Sequence, residues 1–261
     1  MGYRALDTAE AYRNERAVGA AVQTVIEKGI VTREEIFIAT KLSDSSKHGG
    51  YEQTKALVRS QLELLETPYI DLYMLHSPFE NKALQAESWR ALEDLYSEGV
   101  LKSLGVSNFD SHELKALVES AQRVKPMVVQ NKLDVYHVGK QLDNQGDTLV
   151  EYARSQNIIV VAYSSFSAYP FVLMPPNDPI VSYVASQHFD PHTNTPATPG
   201  QVLLKWSMQK GTALIPRSSS PDRLLENIKA LDISPLSPSE MQLLDTLQFL
   251  VSSPVSKPIA V

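Results

Sequence analysis

The chain has 261 residues, 43% of them hydrophobic and 21% charged, with 24 Lys and Arg against 30 Asp and Glu. The resulting charge of −6 argues against binding nucleic acid or an anionic membrane, which calls for a basic stripe. With no cysteine there is no disulfide framework, thiol chemistry or zinc–thiolate site. No apolar run reaches the ~20 residues of a membrane span, so a soluble, cytoplasmic globular protein is expected.

Short β-rich apolar runs alternate with amphipathic helical stretches. Tyr3–Asp7 reads as the first strand. After Tyr12, the stripe Ala17, Val18, Ala21, Val22, Val25, Ile26 predicts a helix that stops at Lys28–Gly29. Ile36–Thr40 is the second strand, followed by a helix over Tyr51–Glu66. Ile70–Leu75 is the third, followed by a helix over Lys82–Glu98 that ends at Gly99. Lys102–Val106 is the fourth, and Asp110 with Glu113 forms a capping box for a helix to about Ala121. Met127–Gln130 and Ile158–Ala162 are the fifth and sixth strands. The stretch Ser164–Pro199 holds seven of the 16 prolines and reads as an irregular loop with one helix near Val181–His188. Long loops of this kind sit at the catalytic face of barrels and form lids. Ala213–Pro216 is the seventh strand. Ser220–Pro221 opens a helix, and Ser237, Pro238 and Glu240 open a last one through Leu247.

Strand followed by helix, seven times over, predicts a parallel sheet with right-handed crossovers. An open doubly wound sheet that binds a dinucleotide would carry Gly-x-Gly-x-x-Gly after a strand. None is present, and Gly49–Gly50 follow a polar loop. The expectation is an α/β fold of the (β/α)8 barrel type, incomplete with about seven parallel strands, forming one domain over residues 1–261.

Functional groups of such barrels cluster where strands end. The polar residues there are Asp7 and Tyr12, Lys41, His76, Ser107–Asn108, Gln130, Tyr163–Ser164 and Arg217–Ser220. Each has an ordinary explanation alone: Asp7 as a loop cap, Lys41 as a solvated charge, His76 as a packed core histidine. Their convergence at successive strand ends points instead to one site. A free phenol titrates near pH ~10, and an ammonium beside it favours the phenolate. Lys41 could so tune Tyr12 for proton transfer, its own charge paired by Asp7, while a neutral His76 orients a carbonyl oxygen. An acid placed at a carbonyl oxygen implies a nucleophile at carbon, and hydride fits a chain without cysteine or a serine–histidine elbow.

The segment Gly2-Tyr3-Arg4-Ala5-Leu6-Asp7-Thr8-Ala9-Glu10-Ala11-Tyr12-Arg13-Asn14-Glu15 resembles the aldo-keto reductase signature around that family's catalytic Asp and Tyr. Ala39-Thr40-Lys41-Leu42 is similar to the strand carrying its lysine, and Leu75-His76-Ser77-Pro78 to the strand carrying its histidine. Gly105-Val106-Ser107-Asn108-Phe109 resembles another family element, and Ile215-Pro216-Arg217-Ser218 through Arg223, Glu226 and Asn227 its late cofactor motif. The resemblance implies NADPH-dependent reduction of an aldehyde or ketone, with Tyr12 as proton donor, Asp7 and Lys41 tuning it, and His76 orienting the substrate. It implies that Ser107, Asn108 and Gln130 meet the nicotinamide carboxamide and that Tyr163 stacks on the ring. It further implies that Arg217, Ser218 and Arg223 hold the 2′-phosphate and that Glu226 and Asn227 meet the adenine. A small carbonyl substrate, no nucleic acid or membrane partner, and a monomer or weak homo-oligomer are expected.

Members of that family carry a hairpin, a strand and a helix ahead of the point where this sequence begins, so an N-terminally shortened reductase is expected. Tyr3–Asp7 and Ala213–Pro216 would then be unpaired edges, unless the barrel closes on seven strands. After Gln130 the run Asn131-Lys132-Leu133-Asp134-Val135 replaces a histidine–proline, and Ser165-Phe166-Ser167 replaces a proline and glycine. A catalytically weak or inactive nucleotide-binding regulatory protein on the same fold is the alternative. A metal-dependent barrel hydrolase has only His76 to offer as a strand-end ligand.

Overall fold

A computed structural model of the chain describes residues 1–43, 49–137, 149–166, 174–191 and 194–250. The tail 251–261, and with it most of the segment after Leu247, lies outside the described residues. So do loop positions 167–173 and 192–193.

The strands are β1 Ala5–Asp7, β2 Phe37–Leu42, β3 Leu72–Leu75, β4 Leu104–Ser107, β5 Val128–Lys132, β6 Ile159–Tyr163 and β7 Ala213–Leu214. They join one seven-stranded sheet in the order β1 to β7, and the registered neighbours are parallel. This order has no reversal, whereas a doubly wound sheet reverses at its switch point. Several strands end later than their apolar runs do. Lys41, Ser107 and Tyr163 lie inside strands rather than after them, and β5 continues through Asn131 and Lys132. The backbone ladder does not stop at the first polar side chain when that side chain finds a partner. β7, by contrast, is only two residues long.

The chain forms two compact units. One comprises Gly2–Gln130 with Glu151–Ile159; the other comprises Met1, Asn131–Val150 and Val160–Val261.

In the first unit β1 to β4 are each followed by a helix: α1 Glu15–Glu27, α2 Tyr51–Leu64, α3 Lys82–Ser97 and α4 Ser111–Ser120. Asn81 caps α3 by accepting from the N–H groups of Ala83 and Leu84, and Asp110 and Glu113 form the expected capping box of α4. Ile38, Val58, Leu65, Leu75, Leu92 and Val106 have no exposed surface. α1 reaches α2 through Gly19, where a Cβ would lie 2.7 Å from the Leu64 and Leu65 carbonyl oxygens. α5, Leu149–Ser155, precedes β6.

The second unit holds α6 Pro179–Ser186, α7 Pro199–Gln209, α8 Pro221–Ile228, α9 Pro238–Asp245 and the single turn α10 Leu247–Leu250. The first four share one device: proline at the first turn, preceded by a cap whose side chain accepts a backbone N–H. The caps are Asp178, Thr198, Ser220 and Ser237. Proline fits there because its missing donor would have had no helical acceptor. α7 is absent from the sequence reading above, although Thr198-Pro199-Gly200-Gln201 carries the signature of a capping box. α5 is likewise unanticipated, and the last predicted helix divides into α9 and α10. Trp206, Val181, Val184, Val202, Leu203 and Leu244 form this unit's core, with the Trp206 indole donating to Asp245 at 2.9 Å.

Gly105 in β4 faces β5 so closely that a Cβ would meet the Val128 carbonyl oxygen at 2.7 Å. Gly105→Ala is therefore expected to cost about 1–3 kcal/mol and to lower Tm by roughly 2–4 °C per kcal/mol. Thermal denaturation followed by circular dichroism checks this, and an unchanged Tm contradicts the packing account.

Candidate active site

β1 delivers Asp7, after which the chain turns at buried Thr8 and Ala9 into one 3-10 turn, Glu10–Tyr12. The turn is pinned: the Thr8 N–H donates to the Ala39 carbonyl at 2.8 Å, and the Thr8 hydroxyl donates to Asn14 Oδ1 at 2.6 Å. Asp7 is opposite Ala39 in the parallel register. Because side chains alternate along a strand, Lys41, two residues past Ala39, projects to the same face as Asp7's neighbour.

Lys41 is fully buried. Its Nζ donates to Asp7 Oδ1 at 2.6 Å and to the Thr8 carbonyl at 2.9 Å. Burial pulls the lysine's pKa below its usual value, and Asp7 opposes that pull. The same Nζ lies 5.3 Å from the centroid of the Tyr12 ring. Tyr12 is half exposed, and the His76 ring meets it edge to face, with centroids 5.6 Å apart and planes at 85°. Burial, assisted by the Lys41 charge and opposed by Asp7, lowers the His76 pKa to about 4. At neutral pH the imidazole is uncharged and carries one N–H.

Three further predicted residues knit into this cluster. Gln130 Nε2 donates to Asp7 Oδ2 at 2.7 Å. The Ser107 hydroxyl donates to the Gln130 carbonyl at 2.8 Å. Asn108, in the left-handed region at φ 61° that asparagine tolerates better than most residues, donates through Nδ2 to the His76 carbonyl at 2.8 Å.

Beneath Lys41 lies a buried network that the sequence reading passes over. Glu15 Oε1 accepts from the Thr40 hydroxyl at 2.6 Å and from Gln61 Nε2 at 2.8 Å, while the Tyr73 hydroxyl donates to Gln61 Oε1 at 2.5 Å. Burial raises the Glu15 pKa. The available signal was a glutamine at helical spacing from Val58 and Leu65 on the buried face of α2.

In the second unit, Arg217, Ser218, Arg223, Glu226 and Asn227 line a cavity of about 430 Å³ together with Phe166, Met174, Pro176, Asn177, Thr198, Pro199 and Gly200. Both arginines are exposed and Asn227 is buried. Ser218 Oγ accepts the Ser220 N–H at 3.0 Å, which leaves its proton to donate outward. The Glu226 carboxylate accepts from the Thr198 hydroxyl. Tyr163 ends β6 half-buried and does not line this cavity. Where the sequence departs after Gln130, buried Asp134 is flanked by Lys132 Nζ at 3.4 Å and His137 Nδ1 at 2.8 Å. No helix among the described residues is long and apolar enough to cross a membrane.

The strand order and this clustering define an α/β barrel-type protein with seven parallel strands. Comparison with known proteins narrows the class. The Aldo/keto reductase family model matches residues 1–171 and 188–248. The chain is 35% identical to an NADPH-dependent D-xylose reductase of Meyerozyma guilliermondii, across 89% of this chain and 78% of that protein. It is 34% identical to a glyoxal reductase of Bacillus subtilis, across 94% and 79%. The crystal structure of MGS-M4, an aldo-keto reductase enzyme from a deep-sea metagenome library, superposes with a TM-score of 0.82 at 30% identity, covering 100% of this chain and 88% of that one. The chain belongs to the aldo/keto reductase family, whose members are oxidoreductases that use nicotinamide cofactors.

His76 is expected to titrate near pH 4 rather than 6.5. The unfolded chain then takes up this proton first, so its contribution to stability is intact above pH 6.5 and is lost as pH falls towards 4. Imidazole proton resonances, assigned through His76→Gln, check the midpoint; a value at or above 6.5 contradicts the burial argument.

Proposed function

We propose that this protein reduces an aldehyde or ketone to the alcohol with NADPH, using Tyr12 as general acid. The observation that carries this reading is the fully buried Lys41 ammonium, held by Asp7 at 2.6 Å and 5.3 Å from the Tyr12 ring. Such a charge favours the phenolate and so eases release of the phenolic proton. His76, neutral at working pH, donates its N–H to the substrate oxygen and orients the carbonyl beside Tyr12. A nicotinamide bound there would supply the hydride. As carbon gains that hydride, the carbonyl π pair moves to oxygen, and oxygen takes the Tyr12 proton to give the alcohol. The phenolate left behind is stabilised by Lys41 and is reprotonated from solvent, to which half-exposed Tyr12 has access.

Ser107, Asn108 and Gln130 are assigned to the carboxamide and Tyr163 to the nicotinamide face. The cavity lined by Arg217, Ser218 and Arg223 has the donor set for a 2′-phosphate: two guanidinium forks and a hydroxyl. This favours NADPH over NADH. Glu226 and Asn227, on the same cavity, are assigned to the adenine. Small carbonyl compounds, sugars among them, are the proposed substrates, met in the cytoplasm by a monomer or weak homo-oligomer.

The decisive assay mixes the protein with NADPH and a panel of aldehydes and follows loss of NADPH absorbance. Aldehyde-dependent oxidation is expected, whereas binding without turnover would mark a non-catalytic nucleotide binder. Tyr12→Phe is expected to lower kcat by about 100-fold or more while still binding NADPH; unchanged turnover refutes the assigned acid. Arg223→Ala is expected to weaken NADPH binding by about tenfold or more and leave NADH binding little changed. Equal losses for both cofactors would refute the phosphate assignment.

A further inference from the structure

The side-chain amide of Gln130 is committed at one end. A carboxylate only accepts hydrogen bonds, so the group facing Asp7 Oδ2 at 2.7 Å must be the Nε2 donor. The residue is nearly fully buried, and its main-chain carbonyl is clamped by the Ser107 hydroxyl at 2.8 Å and the Asn108 N–H at 3.1 Å. The amide cannot turn over without setting its oxygen against a carboxylate. One Nε2 hydrogen is thereby spent on Asp7, and the acceptor that Gln130 offers a ligand is Oε1. Asn108 Nδ2 is likewise engaged, by the His76 carbonyl at 2.8 Å and Ser107 Oγ at 3.2 Å.

We propose that Gln130 is a positioning residue that links the carboxamide N–H of the bound cofactor to the Asp7–Lys41 pair, so that cofactor binding adjusts the proton donor. The proposal rests on the reductase reading above. An N–H arriving at Oε1 polarises the amide and strengthens its Nε2–H bond to Asp7, because hydrogen bonds in a chain reinforce one another. Asp7 then gives up some of the negative charge it directs at Lys41 through Oδ1. The ammonium is less neutralised, and its field at Tyr12 grows. The titratable groups that bear on Asp7 are Lys41 from β2 and His76 beyond β3, and Tyr12 on the turn after β1 faces the same Lys41 Nζ. Glu10 on that turn is directed to the Ser43 N–H at 3.2 Å. Gln130 is the neutral member of the group and is hydrogen-bonded directly to Asp7.

The test reads the Gln130 side-chain amide by nitrogen–proton NMR on the whole chain, assigned through bonds. Adding NADP⁺ is expected to move the Asp7-bonded Nε2 proton downfield. The 3-acetylpyridine analogue of NADP⁺ has a carbonyl but no carboxamide N–H, and is expected to leave that proton in place. A shift with both dinucleotides, or with neither although both bind, overturns the link. If neither binds, the reductase reading itself fails and takes the proposal with it. In a second arm, Gln130→Met keeps the shape and removes both polar ends. The alkaline limb of its kcat profile for carbonyl reduction is expected to rise by about one pH unit. Weaker cofactor binding with an unmoved limb would reduce Gln130 to a simple contact. Should Gln130→Met not fold, the NMR arm on the unaltered protein decides.

Discussion

A lysine ammonium sealed from water constrains the rest of this site. Such a charge is tolerable only where carboxylate and carbonyl oxygens replace its hydration, and removing a partner from a buried pair costs about 3–5 kcal/mol. Asp7 and the Thr8 carbonyl meet that need for Lys41. They can do so because the β1–β2 register sets Asp7 beside Ala39 and because the turn after β1 is fastened to β2 and to Asn14. The same charge acts on its other neighbours: it helps hold His76 neutral and lies against the Tyr12 ring. In the proposed mechanism, this positive centre that strand geometry must satisfy is also the centre that tunes the acid and the orienting donor.

The two units carry different residue types. The first carries the titratable cluster, built at strand ends and backed by the Glu15–Thr40–Gln61–Tyr73 network, which fixes β2 at the residue before Lys41. The second carries the cationic cavity, framed by helices that begin with proline after a capping side chain. Thr198 serves twice, as the cap of α7 and as the donor to Glu226, so the start of that helix and a cavity carboxylate are fixed together.

All seven strands were legible in the sequence because their apolar runs are short and bounded by polar or turn-forming residues. Their ends were not, since hydropathy falls at Lys41 and Ser107 while the ladder continues to partners that pair those side chains. α7 was hidden by the density of prolines before it, although Pro199 starts the helix rather than breaking it. Within the site, the residue types at strand ends and the motifs around them marked Asp7, Tyr12, Lys41 and His76. Nothing local could mark the Thr8 carbonyl, a main-chain atom, or the bond between Gln130 and Asp7, which lie 123 residues apart. Such links exist only once the register is set.

The central claim is that Asp7 and Lys41 act as one unit on the chemistry, and a double-mutant cycle on kcat tests it most directly. Asp7→Asn, Lys41→Met and the double variant would be compared at saturating cofactor and carbonyl substrate. The account predicts that the double variant is no slower than the slower single one, because either change alone already dismantles the pair. Losses that multiply would show two independent contributions and contradict it.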